Sequence, residues 1–211
     1  MAGEYRVVKL GGSLLDFDCL VPRLHAWLAG QPPMPGVMLV GGGKLADAIR
    51  DAFARHRLGE EAAHWLCIRL LGVTAELVAG LLPEAVLVNR FDELAAERVA
   101  KRLAVFEPEQ YLRDEAVDPL PHSWDVTSDS IAARLAARLE AGELVLLKSD
   151  LPAGLATLQE AADAGYVDRY FPTVAADLPR IRCVNLRSDG FPEVTLRRCR
   201  AGNRRGRRRG G

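Results

Sequence analysis

The sequence predicts an α/β fold in which a mostly parallel sheet is covered by helices on both faces. Its predicted strands are continuous apolar runs rather than alternating patterns, and segments of helical periodicity separate them. Strands buried on both faces read in this way, which is typical of parallel sheets between two helical layers. With 211 residues, 49% of them apolar, the chain is long enough for one such domain and too apolar to be fully disordered.

The predicted elements alternate along the chain. Apolar runs predict strands at residues 5–10, 37–40, 85–88, 103–106, 144–147 and 180–186. Apolar residues at helical spacing predict helices at residues 16–29, 44–57, 60–82 (one helix or two), 92–102, 128–141 and 157–164. Residues 107–127 are predicted to form an irregular loop, because three prolines interrupt them. A loop of that length in a compact domain is usually functional or disordered.

The formal net charge of zero is the sum of two unlike parts. Residues 197–211 hold eight arginines and no acid, which leaves 20 basic residues against 28 acids, about −8, in residues 1–196. An acidic body does not attract nucleic acid by itself. We therefore predict a domain at residues 1–196 and a disordered Arg/Gly-rich tail at residues 197–211. The alternative is that the tail is an arm for nucleic acid or an acidic partner.

The sequence predicts neither a membrane partner nor a secretory signal, so we expect the cytoplasm as its location. No run of about 20 consecutive apolar residues is visible, and the N-terminus lacks a basic segment followed by an apolar one. Four widely spaced cysteines are predicted to be buried free thiols: Cys19, Cys67, Cys183 and Cys199. Only four lysines occur beside 24 arginines, so each lysine could mark a place that requires a compact ammonium.

Three predicted strands end in residues that suit a polyphosphate. The first ends in Lys9 and Gly11-Gly12-Ser13, the second in Gly41-Gly42-Gly43, and the fifth in Lys148-Ser149-Asp150. Glycines let backbone N–H groups approach an anion, and in parallel sheets ligands bind beyond the carboxyl ends of the strands. A glycine pair alone is more often only a tight turn. Together, two glycine loops and two lysines predict a polyphosphate site at one edge of the sheet.

Two known phosphate loops fit this sequence poorly. The chain has no Gly-x-x-x-x-Gly-Lys-Ser/Thr, which excludes a P-loop. Gly41-x-Gly43-x-x-Ala46 matches the loose dinucleotide fingerprint, but that fingerprint requires an acid at the end of the next strand, and Glu60 and Glu61 fall in a helical pattern. A dinucleotide site therefore remains a weak alternative.

A polar segment before the helix at 128–141 predicts part of an acceptor or catalytic site. Thr127 or Ser128 would cap that helix, and Asp129 in its first turn suits the helix dipole. Capping does not explain His122, Trp124 and Asp125 immediately before them. We therefore assign these three residues, together with Thr127 and Ser128, to the binding of an acceptor.

The ordered motifs resemble those of the amino acid kinase superfamily. The chain matches over about residues 5–190, through Val-Val-Lys-Leu-Gly-Gly-Ser at 7–13, Val-Gly-Gly-Gly at 40–43, Thr-Ser-Asp-Ser-Ile-Ala-Ala at 127–133, and Lys148-Ser149-Asp150. The resemblance implies a three-layer αβα sandwich around an open, mostly parallel sheet of about eight strands. It also implies ATP and Mg²⁺ as cofactors, a small phosphate or carboxylate acceptor, and a homo-oligomer.

The resemblance implies a role for each matched residue. Lys9, Asp129 and Lys148 would be catalytic, with Asp129 orienting the lysines or holding magnesium. The ATP phosphates would contact Lys9, Gly11, Gly12, Ser13, Lys148, Ser149 and Asp150. Gly41, Gly42 and Gly43 would receive the acceptor.

A narrower similarity rests on residues 121–129 and 165–172. These resemble the (aminomethyl)furanmethyl phosphate kinase branch of methanopterin biosynthesis, which implies 5-(aminomethyl)-3-furanmethanol phosphate as the acceptor and a diphosphate as the product. Two alternatives remain: a carboxylate kinase of the same superfamily, or a non-catalytic protein that binds a nucleotide or oxyanion. The second is motivated by residues 151–154, where the chain has Leu-Pro-Ala-Gly and many relatives continue Val-Asp-Gly.

Overall fold

The computed structural model describes residues 5–95, 102–114, 120–151 and 154–198 and has a seven-stranded open sheet at its centre. The strand order is β3-β4-β2-β1-β5-β6-β7, and every neighbouring pair is parallel except β6 with β7. The strands are β1 (Arg6–Leu10), β2 (Gly36–Val40), β3 (Val86–Val88), β4 (Leu103–Phe106), β5 (Glu143–Lys148), β6 (Ile181–Asn185) and β7 (Glu193–Leu196).

Helices cover both faces of this sheet. They are α1 (Leu20–Ala29), α2 (Gly43–His56), α3 (Glu60–Leu81), α4 (Glu109–Arg113), α5 (Ser128–Arg138), α6 (Leu158–Asp163) and α7 (Phe171–Val174), with 3-10 turns at Gly12–Leu14 and Phe91–Ala95. Alternate residues of β1 enter different cores: Val7 packs with α5, whereas Val8 and Leu10 pack with α1. The predicted three-layer αβα sandwich is confirmed, with seven strands among the described residues where about eight were expected.

The elements differ from the sequence prediction in several places, and the structure also settles one open alternative. The segment at residues 60–81 is one continuous helix, and the loop predicted at 107–127 contains the short helix α4, anchored by the buried Tyr111. Strand β7 was not predicted, because it is an edge strand whose only buried residue is Leu196. Of the helix predicted at 92–102, the 3-10 turn ends at Ala95, and residues 96–101 lie outside the described residues.

Helix α3 could be considered as a membrane span, although no run of about 20 consecutive apolar residues is visible in the sequence. By length and composition alone it is long and apolar enough, with a mean hydropathy of 1.4 in its most apolar window. Scattered Gly, Thr and Glu residues break its apolar runs, which is why the sequence pattern did not show it. The core helix of a globular domain passes the same test, and 44% of that window is buried where α3 packs against β2, β3 and β4.

Two further predictions concern the tail and the cysteines. Arg197 hydrogen-bonds through its backbone to Ala156 and Leu158, and Arg198 pairs with Asp177 at 3.0 Å, so the first two tail residues contact the domain. The remaining tail, residues 199–211 with Cys199, lies outside the described residues.

Of the other cysteines only Cys183 is buried. Cys67 is half-buried and Cys19 is exposed, because Cys19 lies at the exposed N-terminal cap of α1.

Candidate active site

Two lysines and one aspartate form a buried charged cluster at the carboxyl edge of the sheet. Strands β1 and β5 are parallel neighbours, so Lys9 near the end of β1 lies close to Lys148 at the end of β5. Lys9 Nζ is 3.0 Å from Asp129 Oδ1, and Lys148 Nζ donates to Asp129 Oδ2 at 2.9 Å. The cluster carries one negative and two positive charges, and that excess suits an anionic ligand.

Burial and mutual attraction oppose each other in this cluster. Desolvation lowers the pKa of Lys9, although Asp129 counteracts part of that shift. Burial alone would raise the pKa of Asp129, but Lys148 and Lys9 outweigh it and lower the pKa to about 2. Asp129 is therefore ionised at neutral pH and favours the charged form of Lys9.

Asp168 fixes the position of Asp129, although the sequence analysis assigned no role to Asp168. Its carboxylate accepts hydrogen bonds from Thr127 N at 2.9 Å, Thr127 Oγ1 at 2.8 Å, Ser130 N at 3.0 Å and Phe171 N at 2.9 Å, and also from Ser130 Oγ. Thr127 is the N-cap residue of α5, as expected, but its side chain makes no capping bond of its own. A carboxylate from a distant loop therefore satisfies the first turn of the helix that carries Asp129.

Replacing Asp168 with alanine should destabilise the fold. Several backbone and hydroxyl donors would lose a charged acceptor, so we expect the free energy of unfolding to fall by about 2–4 kcal/mol. Chemical denaturation measures the change, with Asp163→Ala on the exposed side of α6 as the matched control. Equal unfolding midpoints for the two variants would contradict this role.

The two glycine loops touch each other beside the cluster. A Cβ atom on Gly12 would lie 2.0 Å from Gly43 N, and one on Gly43 would lie 2.3 Å from Gly12 O. Gly43 also has a φ of +53°, which side chains rarely adopt. Gly41 lies against Gly12 and Ser128, since a Cβ there would be 3.0 Å from Ser128 Oγ. Three of the predicted motifs therefore meet at one place.

One glycine cannot act as predicted in this conformation. The Gly11 N–H, expected to donate to ATP phosphates, donates instead to Leu147 O at 2.8 Å. It extends the pairing between β1 and β5 by one residue. Gly11 matters here because it has no side chain: a Cβ atom would lie 2.9 Å from the same oxygen.

The predicted nucleotide side lies at the ends of β1 and β5. Ser13 Oγ and Ser149 Oγ are 2.7 Å apart, so the two strand ends are joined through their hydroxyls. Asp150 is exposed, and its carbonyl accepts a hydrogen bond from Tyr166 Oη at 3.1 Å. Arg187, which the sequence analysis missed, donates to Ser13 O at 2.9 Å and adds a cation at this end.

A cavity of about 190 Å³ opens on the other side of Lys9. Of the predicted acceptor residues, Gly42, Gly43, Trp124, Thr127 and Ser128 line it. Gly41 lies behind this wall, and His122 and Asp125 do not line the cavity. Side chains that the sequence did not single out line it as well, chiefly Arg50, His64, Ile68 and Leu71.

Asp125 and His122 lie elsewhere for identifiable reasons. Asp125 is exposed beside Arg169 Nη1, 3.7 Å away, and lines a separate surface hollow. His122 stacks on His64, with ring centroids 4.8 Å apart, and its Nδ1 is 3.8 Å from Glu61 Oε1. His122 therefore supports the wall of the cavity from behind.

His64 should make stability depend on pH in a recognisable range. Burial, and then the nearby His122, lowers the pKa of His64 from 6.5 to about 4. Between these values the unfolded chain binds more protons than the folded one, so stability falls as the pH decreases from 6.5 towards 4. Thermal melts from pH 7.5 to 4.5 should show a smaller slope for His64→Gln than for the unchanged protein. Identical slopes would contradict the assignment.

The part of the chain that the structure describes contains no group of three or more His, Cys, Asp or Glu side chains that could hold a metal. Within that part, Asp129 Oδ1 is a buried oxygen without a hydrogen-bond partner, since its 3.0 Å ion pair with Lys9 lacks hydrogen-bond geometry. The donor set fits one contact to a metal ion that arrives with a ligand, not a metal centre made by the protein alone.

Comparisons with known proteins agree with this fold. No protein-family model matches the chain. It is similar to the [5-(aminomethyl)furan-3-yl]methyl phosphate kinase of Methanocaldococcus jannaschii, with 26% identity over 144 residues. That match covers 66% of this chain and 63% of the relative, so the chain matches less than two thirds of the relative's length.

Solved structures show the same architecture at low sequence identity. The uridylate kinase of Archaeoglobus fulgidus is similar with a TM-score of 0.60 and 16% identity, covering 94% of this chain and 92% of that one. The UMP kinase of Ureaplasma parvum has a TM-score of 0.60 and 12% identity, with 92% and 99% covered. The aspartate kinase of Synechocystis has a TM-score of 0.59 and 17% identity, with 92% and 40% covered.

Proposed function

Since its fold and its ordered motifs group this chain with the amino acid kinase superfamily, we propose that it is an ATP-dependent kinase that converts a small phosphate monoester into a diphosphate. The observation that carries the proposal is the buried Lys9–Asp129–Lys148 cluster, beside two touching glycine loops at the carboxyl edge of the sheet. The proposed best acceptor is 5-(aminomethyl)-3-furanmethanol phosphate, supported by the 26% identical relative. Its place would be methanopterin biosynthesis.

The reaction is a transfer between two phosphate groups. An oxygen of the acceptor phosphate attacks the terminal phosphorus of ATP, the bond from that phosphorus to the ADP oxygen breaks, and the acceptor becomes a diphosphate. The transition state spreads negative charge over the equatorial oxygens, so its stabilisation is mainly electrostatic. Lys9 lines the acceptor cavity, and Lys148 lies beside Ser149 on the proposed nucleotide side. The two ammonium groups are therefore suited to the two ends of the transfer.

Asp129 acts on the two lysines rather than on the substrate. It holds both ammonium groups within 3.0 Å and compensates the desolvation that would otherwise neutralise Lys9. A magnesium ion bound to ATP would neutralise phosphate charge, and Asp129 is the proposed protein contact for it. Magnesium usually keeps several waters and takes only one or two carboxylates together with phosphates, which fits this donor set.

The acceptor phosphate is proposed to bind at the start of α2. This helix begins at Gly43 with Gly42 as its N-cap, and no side chain caps it or places an acid in its first turn. Unsatisfied N–H groups and the helix dipole there favour an anion. The N-terminus of α5 offers less, because Asp168 already satisfies it.

An assay of ADP release with a panel of acceptors tests the proposal. We expect the furan phosphate to stimulate ADP release, and Lys9→Ala to abolish the stimulation. Hydroxylamine trapping of an acyl phosphate from a carboxylate acceptor would favour a carboxylate kinase instead. Tight ATP binding without turnover on any acceptor would favour a non-catalytic nucleotide-binding protein.

The remaining expectations belong to the proposal as well. We expect a homo-oligomer, as the resemblance implies, and the cytoplasm as its location. Truncation after Leu196 separates two roles for the arginine-rich tail. Loss of activity would place the tail at the active site, whereas loss of salt-sensitive polynucleotide binding alone would make it an arm.

A further inference from the structure

We propose that His64 selects the acceptor: its imidazole hydrogen-bonds to an amine or hydroxyl group at the end of the acceptor remote from the phosphate, and the acceptor is a one-ring or similarly small compound rather than a nucleotide. This inference rests on the proposed function and specifies the acceptor of that same site.

His64 is a buried polar side chain at the wall of the cavity. It is 8% exposed, on the face of α3 that also buries Ala63, Ile68 and Leu71. Among the described residues its contacts are ring contacts with Trp65 and His122, and no group there hydrogen-bonds to its nitrogens. Its nitrogens are not among the fully enclosed polar atoms that lack a partner, so they remain accessible to a group bound in the cavity that His64 lines.

The cavity supplies the place for that partner. His64 lines the same cavity as Lys9 and Gly43, which are assigned to the reacting phosphates. Ile68, Leu71 and Val126, which also line it, are apolar. An acceptor with its phosphate at the glycine loop would thus have an apolar body and one polar group that reaches His64.

The chemistry of the imidazole narrows the class of that polar group. With its pKa lowered to about 4, His64 is neutral near pH 7. A neutral imidazole has one accepting nitrogen and one donating nitrogen and no charge to attract a second phosphate. The cations already lining the cavity are Lys9 and Arg50, and Arg50 pairs with Asp47 at 2.6 Å. An amine or hydroxyl therefore suits His64 better than an anionic group.

The size of the cavity favours an acceptor smaller than a nucleotide. Its volume is about 190 Å³. A cavity of about 150 Å³ holds benzene, whereas sites for larger ligands measure about 300–1,000 Å³. One small ring with short substituents fits within that volume, whereas a ring joined to a ribose would extend beyond it.

Three acceptors and a set of histidine variants test the inference. One acceptor is 5-(aminomethyl)-3-furanmethanol phosphate, the second is the same compound with methyl in place of aminomethyl, and the third is UMP. We expect His64→Phe to raise KM for the amine-bearing acceptor about 10–100-fold, the usual range for one hydrogen bond to a charged group. KM for the methyl compound, KM for ATP, and kcat should change less than threefold, and UMP should not be phosphorylated.

Two controls keep the interpretation specific. His64→Gln retains a hydrogen-bonding side chain and should recover part of the affinity for the amine-bearing acceptor. His25→Phe replaces an exposed histidine that pairs with Glu84, 2.7 Å away and outside the cavity, and should leave every constant unchanged. Thermal melts identify any variant that fails to fold.

The outcomes separate this inference from the proposed function. If the unchanged protein turns over the acceptors, but His64→Phe weakens both furan compounds equally or UMP is the better acceptor, the inference fails and the kinase stands. If no acceptor stimulates ADP release, the kinase proposal fails. Calorimetric binding of the two furan compounds then decides the inference: preference for the amine, lost in His64→Phe, supports it, and equal or absent binding overturns it.

Discussion

Replacing Lys9 with methionine is expected to reduce kcat by about 10²–10³-fold, the usual cost of removing one preorganised charge from a transition state. The physical reason is the position of Lys9, which borders both the acceptor cavity and the glycine loop at Gly12. Methionine retains most of the length and apolar packing of the lysine side chain, so the fold should persist. Steady-state kinetics and thermal melts measure the two effects separately.

The Lys9→Arg variant tests whether any positive charge is sufficient. Lys9 is 5% exposed and packed beside Asp129, so the larger planar guanidinium does not fit without displacing its neighbours. We expect this variant to stay at least tenfold impaired. Full activity in Lys9→Met would remove Lys9 from the mechanism, and full activity in Lys9→Arg would show that the site is wider than the structure indicates.

Replacing Asp129 with asparagine is expected to impair both stability and activity. The Asp129 carboxylate lies within 3.0 Å of Lys9 and Lys148; Lys9 and Asp129 are buried, and Lys148 is partly buried. Without it, two ammonium groups face each other with their desolvation uncompensated, and breaking a buried ion pair in this way costs about 3–5 kcal/mol. The pKa of Lys9 should fall, and kcat should decrease at least 10²-fold because a neutral amine stabilises the transferring phosphoryl group poorly.

The stability lost in Asp129→Asn should depend on pH in a defined direction. The pKa of Asp129 is lowered in the folded state from 3.8 to about 2, so its stabilising contribution is complete above pH 3.8 and is lost as the pH falls towards 2. Denaturation of the unchanged protein and Asp129→Asn should therefore differ most at neutral pH and converge in acid. Asp51→Asn, an exposed carboxylate on α2, serves as the control. A constant difference down to pH 2 would contradict the assignment.

The sequence was sufficient to predict the site residues that lie at the ends of strands or directly after them. Lys9, Gly12, Gly43 and Lys148 follow or end apolar runs, and parallel strands bring their carboxyl ends to one edge, so their proximity follows from topology. Asp129 could also be predicted from the sequence, because it lies in the first turn of a strongly periodic helix. For the same reason the helical layers and the order of most elements could be predicted.

Residues that act across the fold could not be found in this way. His64 lies within a long apolar helix, where its position towards the cavity depends on how α3 packs against β2 and β4. Asp168 reaches α5 from 38 positions further along the chain, and no local pattern encodes that contact. Asp125 shows the opposite error: its place beside Thr127 in the chain suggested the site, but the turn directs it to Arg169.

The most direct test of the central claim is ³¹P NMR of the protein with ATP, Mg²⁺ and 5-(aminomethyl)-3-furanmethanol phosphate. We predict that the signal of the acceptor monoester is replaced by two coupled diphosphate signals, in step with ADP formation, and that neither change occurs with Lys9→Met. Release of ADP with inorganic phosphate and an unchanged monoester signal would contradict the account.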